Sequence, residues 1–274
     1  MKILRHRLHR DDGSPLDFEP SPNQGEALNP EYLVVHYTAG RSARQSIDWF
    51  KNPGAKASAH VVIARDGAVT QMVPFNREAW HAGISSWEGR VGMNHCTIGI
   101  ELDNAGRLRR HGTKWRAWFE EEYDDADVIE AVHKHETKPC GWHVYTAAQI
   151  AALLELSALL MSHYRLRDML GHEDIAPGRK SDPGPAFPLE NLRAKLLGRI
   201  ADELPLYATT THLNIRSGPG VQHNTMPGSP LAPGTRVEIS LRQGEWCLVN
   251  VLRKKGAADL QGWVFGKYLR KVEE

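Results

Sequence analysis

Three stretches far apart in the chain end in polar residues that pack poorly in a core and serve chemistry well. They are Val35-His36-Tyr37-Thr38, Gly99-Ile100-Glu101-Leu102, and the run from Gly171-His172 through Lys180 and Asp182 to Gly184. Fourteen histidines stand beside only three cysteines, Cys96, Cys140 and Cys247, so metal chemistry here would lean on imidazole and carboxylate and not on thiolate clusters. Glu101 follows the apolar Thr97-Ile98-Gly99-Ile100 run, and a carboxylate at the end of a buried strand is costly unless it is solvated, paired or used. Lys180 stands two residues before Asp182, so in an extended loop both side chains face the same side, where an ammonium can reach an oxygen that turns negative in a tetrahedral intermediate. Taken singly, each has a plainer reading: His36 as a core histidine, His172 as a helix-end residue, Glu101 as a surface acid closing a strand, Lys180 as a solvated loop lysine.

Chemistry spread this widely needs a scaffold. Tyr32 to His36 reads as a buried strand, and Ser42 as the cap of a short helix through Phe50. His60 to Ile63, the turn Arg65-Asp66-Gly67 and Ala68 to Val73 read as two strands of a hairpin, and Cys96 to Leu102 as another apolar strand. Residues 1–30, rich in Pro, Asp and Asn, are expected to be an extended lead-in over the first domain. The charged stretch 103–143, studded with Trp115, Trp118, Tyr123 and Trp142, is expected to be an insertion between core elements that could cover a cleft. Thr146 with Gln149 spells a capping box, and Ile150, Leu153, Leu154, Leu160 and Met161 lie near one helical face, so a helix to about Tyr164 is predicted. A last helix should start at Pro188 and run to about Glu203. Beyond Leu204-Pro205, short β-rich runs alternate with Gly and Pro turns, as in a small barrel.

Composition bounds the rest. With 274 residues, 41% hydrophobic and 24% charged, the chain has the balance of an ordinary globular protein of one large domain or a medium and a small one. That balance excludes wholesale disorder, collagen, coiled coil and a disulfide scaffold. A net charge of +1 gives no reason to invoke nucleic acid as a partner. Met1 to Arg10 is basic but is followed by Asp11 and Asp12 without an apolar h-region, and the longest low-polarity run, Ala147 to Met161, is too short for a membrane span. The expectation is a protein that is cytoplasmic on synthesis and acts at the periplasm or cell wall only if released or delivered by another route.

The ordered motifs, which also include Ser58-Ala59-His60 and Arg77-Glu-Ala-Trp80-His81-Ala-Gly83, resemble the zinc-dependent N-acetylmuramoyl-L-alanine amidases of the type-2 amidase superfamily, especially its AmpD and AmiD branch. The likeness runs from about Glu31 to Glu190. It implies an α/β catalytic domain over residues 1–204, with a central mixed β-sheet flanked by helices. It implies a Zn2+ ion held by His36, His172 and Asp182, with the fourth tetrahedral position open to water. Glu101 would carry a proton from that water to the leaving amine, and Lys180 would help to hold the oxyanion. The implied reaction is hydrolysis of the amide between N-acetylmuramic acid and L-alanine in peptidoglycan or muropeptides. Trp80 and His81 would line the cleft and contact sugar or peptide, with His60 close to the substrate or supporting the metal. Two rival readings remain open here: a non-catalytic peptidoglycan-recognition protein, and a zinc peptidase cleaving another stem-peptide bond. The first is weakened by the presence of all three ligand positions together with Glu101 and Lys180.

Residues 205–274 form the second expected domain. Leu213 to Gly220, Pro233 to Ile239, Gly244 to Val249 and Gly262 to Leu269 resemble bacterial SH3-like domains, with Trp246 and Trp263 filling or flanking the barrel. Residues 207–274 carry a net +4 and the remainder −3, which suits docking of this part on an anionic wall polymer.

Overall fold

The protein is described from a computed structural model that covers residues 1–197, 206–252 and 260–272. It divides into two compact units, Met1–Gly106 with Ala148–Gly184, and Arg107–Ala147 with Pro185–Glu274.

The first unit is built on a five-stranded sheet. Its strands β1 (Tyr32–Tyr37), β2 (Val61–Ile63), β3 (Val69–Gln71), β4 (Thr97–Leu102) and β5 (Asp168–Gly171) lie in the order β5-β1-β4-β2-β3. The first four of that order are parallel to their neighbours, and β3 returns antiparallel to β2, so the α/β fold has the central mixed sheet expected. Strands in the middle of a parallel sheet are covered on both faces and read as unbroken apolar runs. Accordingly Tyr32 to His36 and all of β4 are buried.

Few helices cover this sheet. Helix α1 (Ala43–Lys51) starts where the Ser42 hydroxyl accepts the Gln45 N–H, and it buries Ala43, Ile47 and Phe50 against Ala59, Val62 and Met72. Helix α2 (Ala147–Tyr164) buries Gln149, Leu153, Leu156, Ser157, Leu160 and Met161, leaving Ile150 and Leu154 only partly covered. The inward face is therefore rotated from the one expected. Gln149 causes this: its side-chain amide donates to the carbonyls of Asp103 at 2.8 Å and Ile63 at 3.4 Å, satisfying backbone acceptors at the ends of β4 and β2. Helix α3 is a single turn, His172–Ile175, entered directly from β5. The lead-in is more than extended chain. Lys2–Leu4 pairs with Arg7–His9, and Gln24–Ala27 pairs with Arg77–Ala79.

In the second unit, residues 107–147 form their own five-stranded antiparallel sheet around buried Leu108, Trp115, Val128, Ile129 and Trp142. Gly141 is needed there, since a Cβ would lie 2.5 Å from the Trp115 ring. Strands Leu206–Thr209, Arg236–Gln243, Trp246–Val251, Gln261–Phe265 and Leu269–Lys271 make a second antiparallel sheet that buries Val237, Leu248, Val249, Trp263 and Val264. Trp246 is partly exposed and meets Phe265 edge to face at 5.5 Å. The stretch 103–143, read from sequence as an insertion, falls from Arg107 onward in the same compact unit as the C-terminal strands. Helix Leu189–Leu196 replaces the longer one expected from Pro188, and the expected continuation and boundary fall largely on residues 198–205, outside those described. All three cysteines are free, and burial raises each thiol above its ordinary value. Among the described residues no helix is long and apolar enough to cross a membrane.

Candidate metal centre and active site

Parallel strands bring their carboxyl ends to one edge of the sheet, where open α/β sheets leave a crevice. Strand β1 ends at His36-Tyr37, β4 at Glu101-Leu102, and β5 hands its chain straight to His172. Glu101 is the register partner of His36, so the two side chains leave the sheet on the same face. Asp182 arrives on a loop fixed to α3: the Glu173 N–H donates to the Asp182 carbonyl at 2.8 Å, and the Gly184 N–H donates to Glu173 Oε2 at 3.3 Å. Gly171 permits that approach, since a Cβ there would sit 2.8 Å from Pro183 Cδ.

The result is a tight triangle. His36 Nδ1 lies 2.9 Å from His172 Nδ1 and 2.9 Å from Asp182 Oδ2, and His172 Nδ1 lies 3.0 Å from Asp182 Oδ2. All three residues are buried, and among the described residues they are the one cluster able to hold a metal ion.

The surrounding hydrogen bonds say where the ring protons are. The Thr97 hydroxyl donates to the Met93 carbonyl at 2.6 Å, so toward His81 Nε2, 3.1 Å away, its oxygen accepts. Burial first, and then the neighbouring His36 and His60, hold the His81 imidazole well below 6.5, so it is neutral. With its proton on Nε2, its Nδ1 accepts from His36 Nε2–H at 2.9 Å. His36 is neutral too, pushed down to about 4 by burial and by His172, which leaves a bare lone pair on its Nδ1. On the other ligand, His172 Nε2 lies 3.0 Å from the Ala82 carbonyl, a pure acceptor, and 3.4 Å from an Arg179 nitrogen; the shorter contact makes Nε2 the donor and turns Nδ1 to the triangle. Two lone pairs and a carboxylate oxygen at this spacing repel one another unless a cation lies among them. Two imidazole nitrogens and one carboxylate, with no fourth protein ligand among the described residues, are a donor set that suits a divalent metal.

Glu101 sits beside this triangle. It is buried, its Oε2 has no hydrogen-bond partner, and its carboxyl is pushed up to about 8 by burial and then by the Asp182 charge, with Lys180 pulling the other way. Lys180 is exposed, and among the described residues its ammonium makes no hydrogen bond or ion pair, while its charge is felt by both Glu101 and His36. The five residues singled out from sequence are therefore brought together.

The three residues expected to touch substrate fare differently. His60 is fully buried, with Nδ1 accepting the Gly99 N–H at 3.0 Å and Nε2–H donating to the Arg77 carbonyl at 2.9 Å, so neither ring nitrogen is left for a ligand. His81 turns inward and spends both nitrogens on His36 and Thr97. Trp80 is partly exposed and remains available, with its indole close to Gly25. Thr97, Asn94, Arg179 and the Ala82 carbonyl went unnoticed in the sequence. Asn94 Oδ1 accepts the N–H groups of both His81 and Ala82, at 3.1 and 2.8 Å, and Arg179 donates to the carbonyls of Ala82 and Ile84. A strand-initial threonine or a turn asparagine carries no local signal for such work.

The family model described as N-acetylmuramoyl-L-alanine amidase matches residues 26–185, a span that holds all five of these residues. The chain belongs to that family. It is 32% identical over 195 residues to the N-acetylmuramoyl-L-alanine amidase AmiD of Escherichia coli K12, covering 65% of this chain and 58% of that protein. It is 35% identical over 197 residues to the 1,6-anhydro-N-acetylmuramyl-L-alanine amidase AmpD of Citrobacter freundii, covering 64% of this chain and 87% of that one. A crystal structure of a selenomethionine AmpD derivative is 30% identical with a TM-score of 0.49, over 71% of this chain and 98% of that one. The chain thus spans little more than half the length of AmiD and most of the length of AmpD.

Proposed function

We propose that this protein is a zinc-dependent N-acetylmuramoyl-L-alanine amidase that hydrolyses the amide between N-acetylmuramic acid and L-alanine in peptidoglycan or muropeptides. The observation that carries the reading is the tight triangle of His36, His172 and Asp182, with a buried acid, Glu101, at its side whose Oε2 has no hydrogen-bond partner among the described residues. Family membership and the named activities of the similar AmiD and AmpD proteins support the substrate class.

His36, His172 and Asp182 would hold the zinc, which when bound supplies a Lewis acid for the scissile carbonyl and acidifies water. Glu101, with a pKa raised to about 8, is suited to accept a proton from the attacking water and return it to the leaving amine of L-alanine near neutral pH. The Lys180 ammonium, unengaged among the described residues, is suited to balance the charge that builds on the carbonyl oxygen. Such acid–base equipment has no use in a protein that only binds wall fragments, which favours the hydrolase over the receptor. We read the C-terminal all-β sheet as a bacterial SH3-like domain that docks the enzyme on an anionic wall polymer, supported by the net +4 of residues 207–274.

Mass spectrometry of purified sacculi after digestion tests the reaction: new free L-alanine amino termini are expected, and new termini at any other stem-peptide bond overturn the bond assignment. Retention of the full chain by sacculi at low salt, compared with a chain ending at Leu204, tests the docking role, and equal retention removes it.

A further inference from the structure

We infer that Thr97 and His81 are positioning residues for the metal, acting through the tautomer of His36, and that the Trp80–Gly83 loop does the same for His172 through the Ala82 carbonyl. This rests on reading the triangle as a metal centre. A histidine binds a metal through the nitrogen that carries no proton, and the group bonded to the other nitrogen decides which one that is. For His36 the decision runs through a directed chain. The Met93 carbonyl takes the Thr97 hydroxyl proton at 2.6 Å, the Thr97 oxygen takes His81 Nε2–H at 3.1 Å, and His81 Nδ1 takes His36 Nε2–H at 2.9 Å. The carbonyl cannot donate, which fixes the first two links, and a singly protonated His81 ring then leaves its Nδ1 only the role of acceptor.

The ring of His81 is held for this task by packing as well as by bonds. It lies flat against Gly99, where a Cβ would come 2.4 Å from its Cγ, so glycine is required in the strand beneath it. Its backbone is pinned with that of Ala82, since Asn94 Oδ1 accepts both N–H groups, at 3.1 and 2.8 Å. One short loop therefore presents His81 Nδ1 to His36 and the Ala82 carbonyl to His172, so both metal-facing nitrogens are kept bare by adjacent residues. This is a role quite different from lining the substrate cleft.

The test is a comparison of two changes at one buried position. Thr97→Val keeps the volume and removes the hydroxyl, whereas Thr97→Ser keeps the hydroxyl and removes a methyl. Zinc affinity is read by competition with a chromophoric chelator, and the His36 tautomer of the metal-free protein by nitrogen-15 NMR. Loss of a ligand's direct hydrogen-bond partner typically weakens metal affinity about 10- to 100-fold; because Thr97 acts through His81, a loss of about 10-fold is expected for Thr97→Val, with Thr97→Ser staying within about 3-fold of wild type. A merely structural threonine predicts the reverse order, because valine fills the space and serine leaves a gap. Equal affinity of Thr97→Val and wild type, or an Nδ1–H tautomer at His36 in the metal-free wild type, overturns the inference. His81→Asn, whose side-chain oxygen can replace Nδ1 as acceptor, against His81→Leu, which cannot accept, repeats the comparison should Thr97→Val fail to fold. If the wild type itself takes up no zinc, the metal reading falls first; if it binds one zinc and the paired variants do not separate, only the positioning role falls.

Discussion

Glu101→Gln keeps the shape of a buried side chain and removes its ionisation, which makes the burial of that carboxyl measurable. In the metal-free fold Glu101 titrates at about 8 against an ordinary 4.5, raised first by burial and then by the charge of Asp182. An acid with a raised folded value binds more protons folded than unfolded between those two pH values. The sign follows: below 4.5 the carboxyl is protonated in both states and costs nothing, the cost accumulates as the unfolded chain ionises, and it levels off above about 8. The full separation corresponds to roughly 5 kcal/mol, and relaxation with water entry around the new charge leaves about 2–3 kcal/mol of it. Glutamine has no such dependence. Urea unfolding of wild type and Glu101→Gln in the presence of a chelator, from about pH 4 to about pH 9, should therefore show a stability difference that grows by about 2–3 kcal/mol in favour of the variant as pH rises. A difference that stays constant over that range, or that grows in favour of wild type, refutes the burial argument. In the zinc-loaded protein the same variant should keep its metal and lose about 10²- to 10⁴-fold in turnover, the usual scale for a general acid–base. Muropeptide release at the wild-type rate would remove Glu101 from the proposed chemistry.

The remaining expectations are simpler. His36→Ala should lose bound zinc and activity together, read as zinc content by atomic absorption, and a variant that retains full zinc would dissolve the assigned ligand set. Lys180→Ala should retain zinc and lose about 10²- to 10³-fold in kcat, as for removal of an oxyanion donor; an effect on KM alone would make it a substrate-binding residue instead. Trp263, fully buried in the C-terminal sheet, should cost about 3–5 kcal/mol on replacement by alanine, measured by urea unfolding, and a loss below about 1 kcal/mol would contradict its place in that core.

Much of the frame was legible in the sequence because it depends on neighbours along the chain. The apolar runs at Tyr32 to His36 and Thr97 to Leu102 mark buried parallel strands, Ser42 marks a helix start, and the ordered motifs identify the five residues of the centre. What those patterns could not supply is direction in space. His81 looks the same in sequence whether it faces a sugar or His36, and only the packing of its ring on Gly99 and its bond to His36 turn it inward. His60 reads in sequence as a support of the sheet or of the metal, or as a cleft residue, and the two backbone bonds that consume both its nitrogens give it to the sheet. Gln149 reads in sequence as a helix cap, and only the fold shows its amide also donating to the carbonyls of Ile63 and Asp103, which lie 86 and 46 residues away. Residues 103–143 read in sequence as an insertion, and from Arg107 they form a five-stranded sheet of their own within the unit that also holds the C-terminal strands, a grouping that leaves no signature along the chain. By itself, then, the sequence determined the residue types of the centre and the strands and loops that carry them. The tertiary structure decided which nitrogen each histidine turns into the triangle and, among the described residues, which buried acid lacks a hydrogen-bond partner, since both follow from close approaches between segments that share no local pattern.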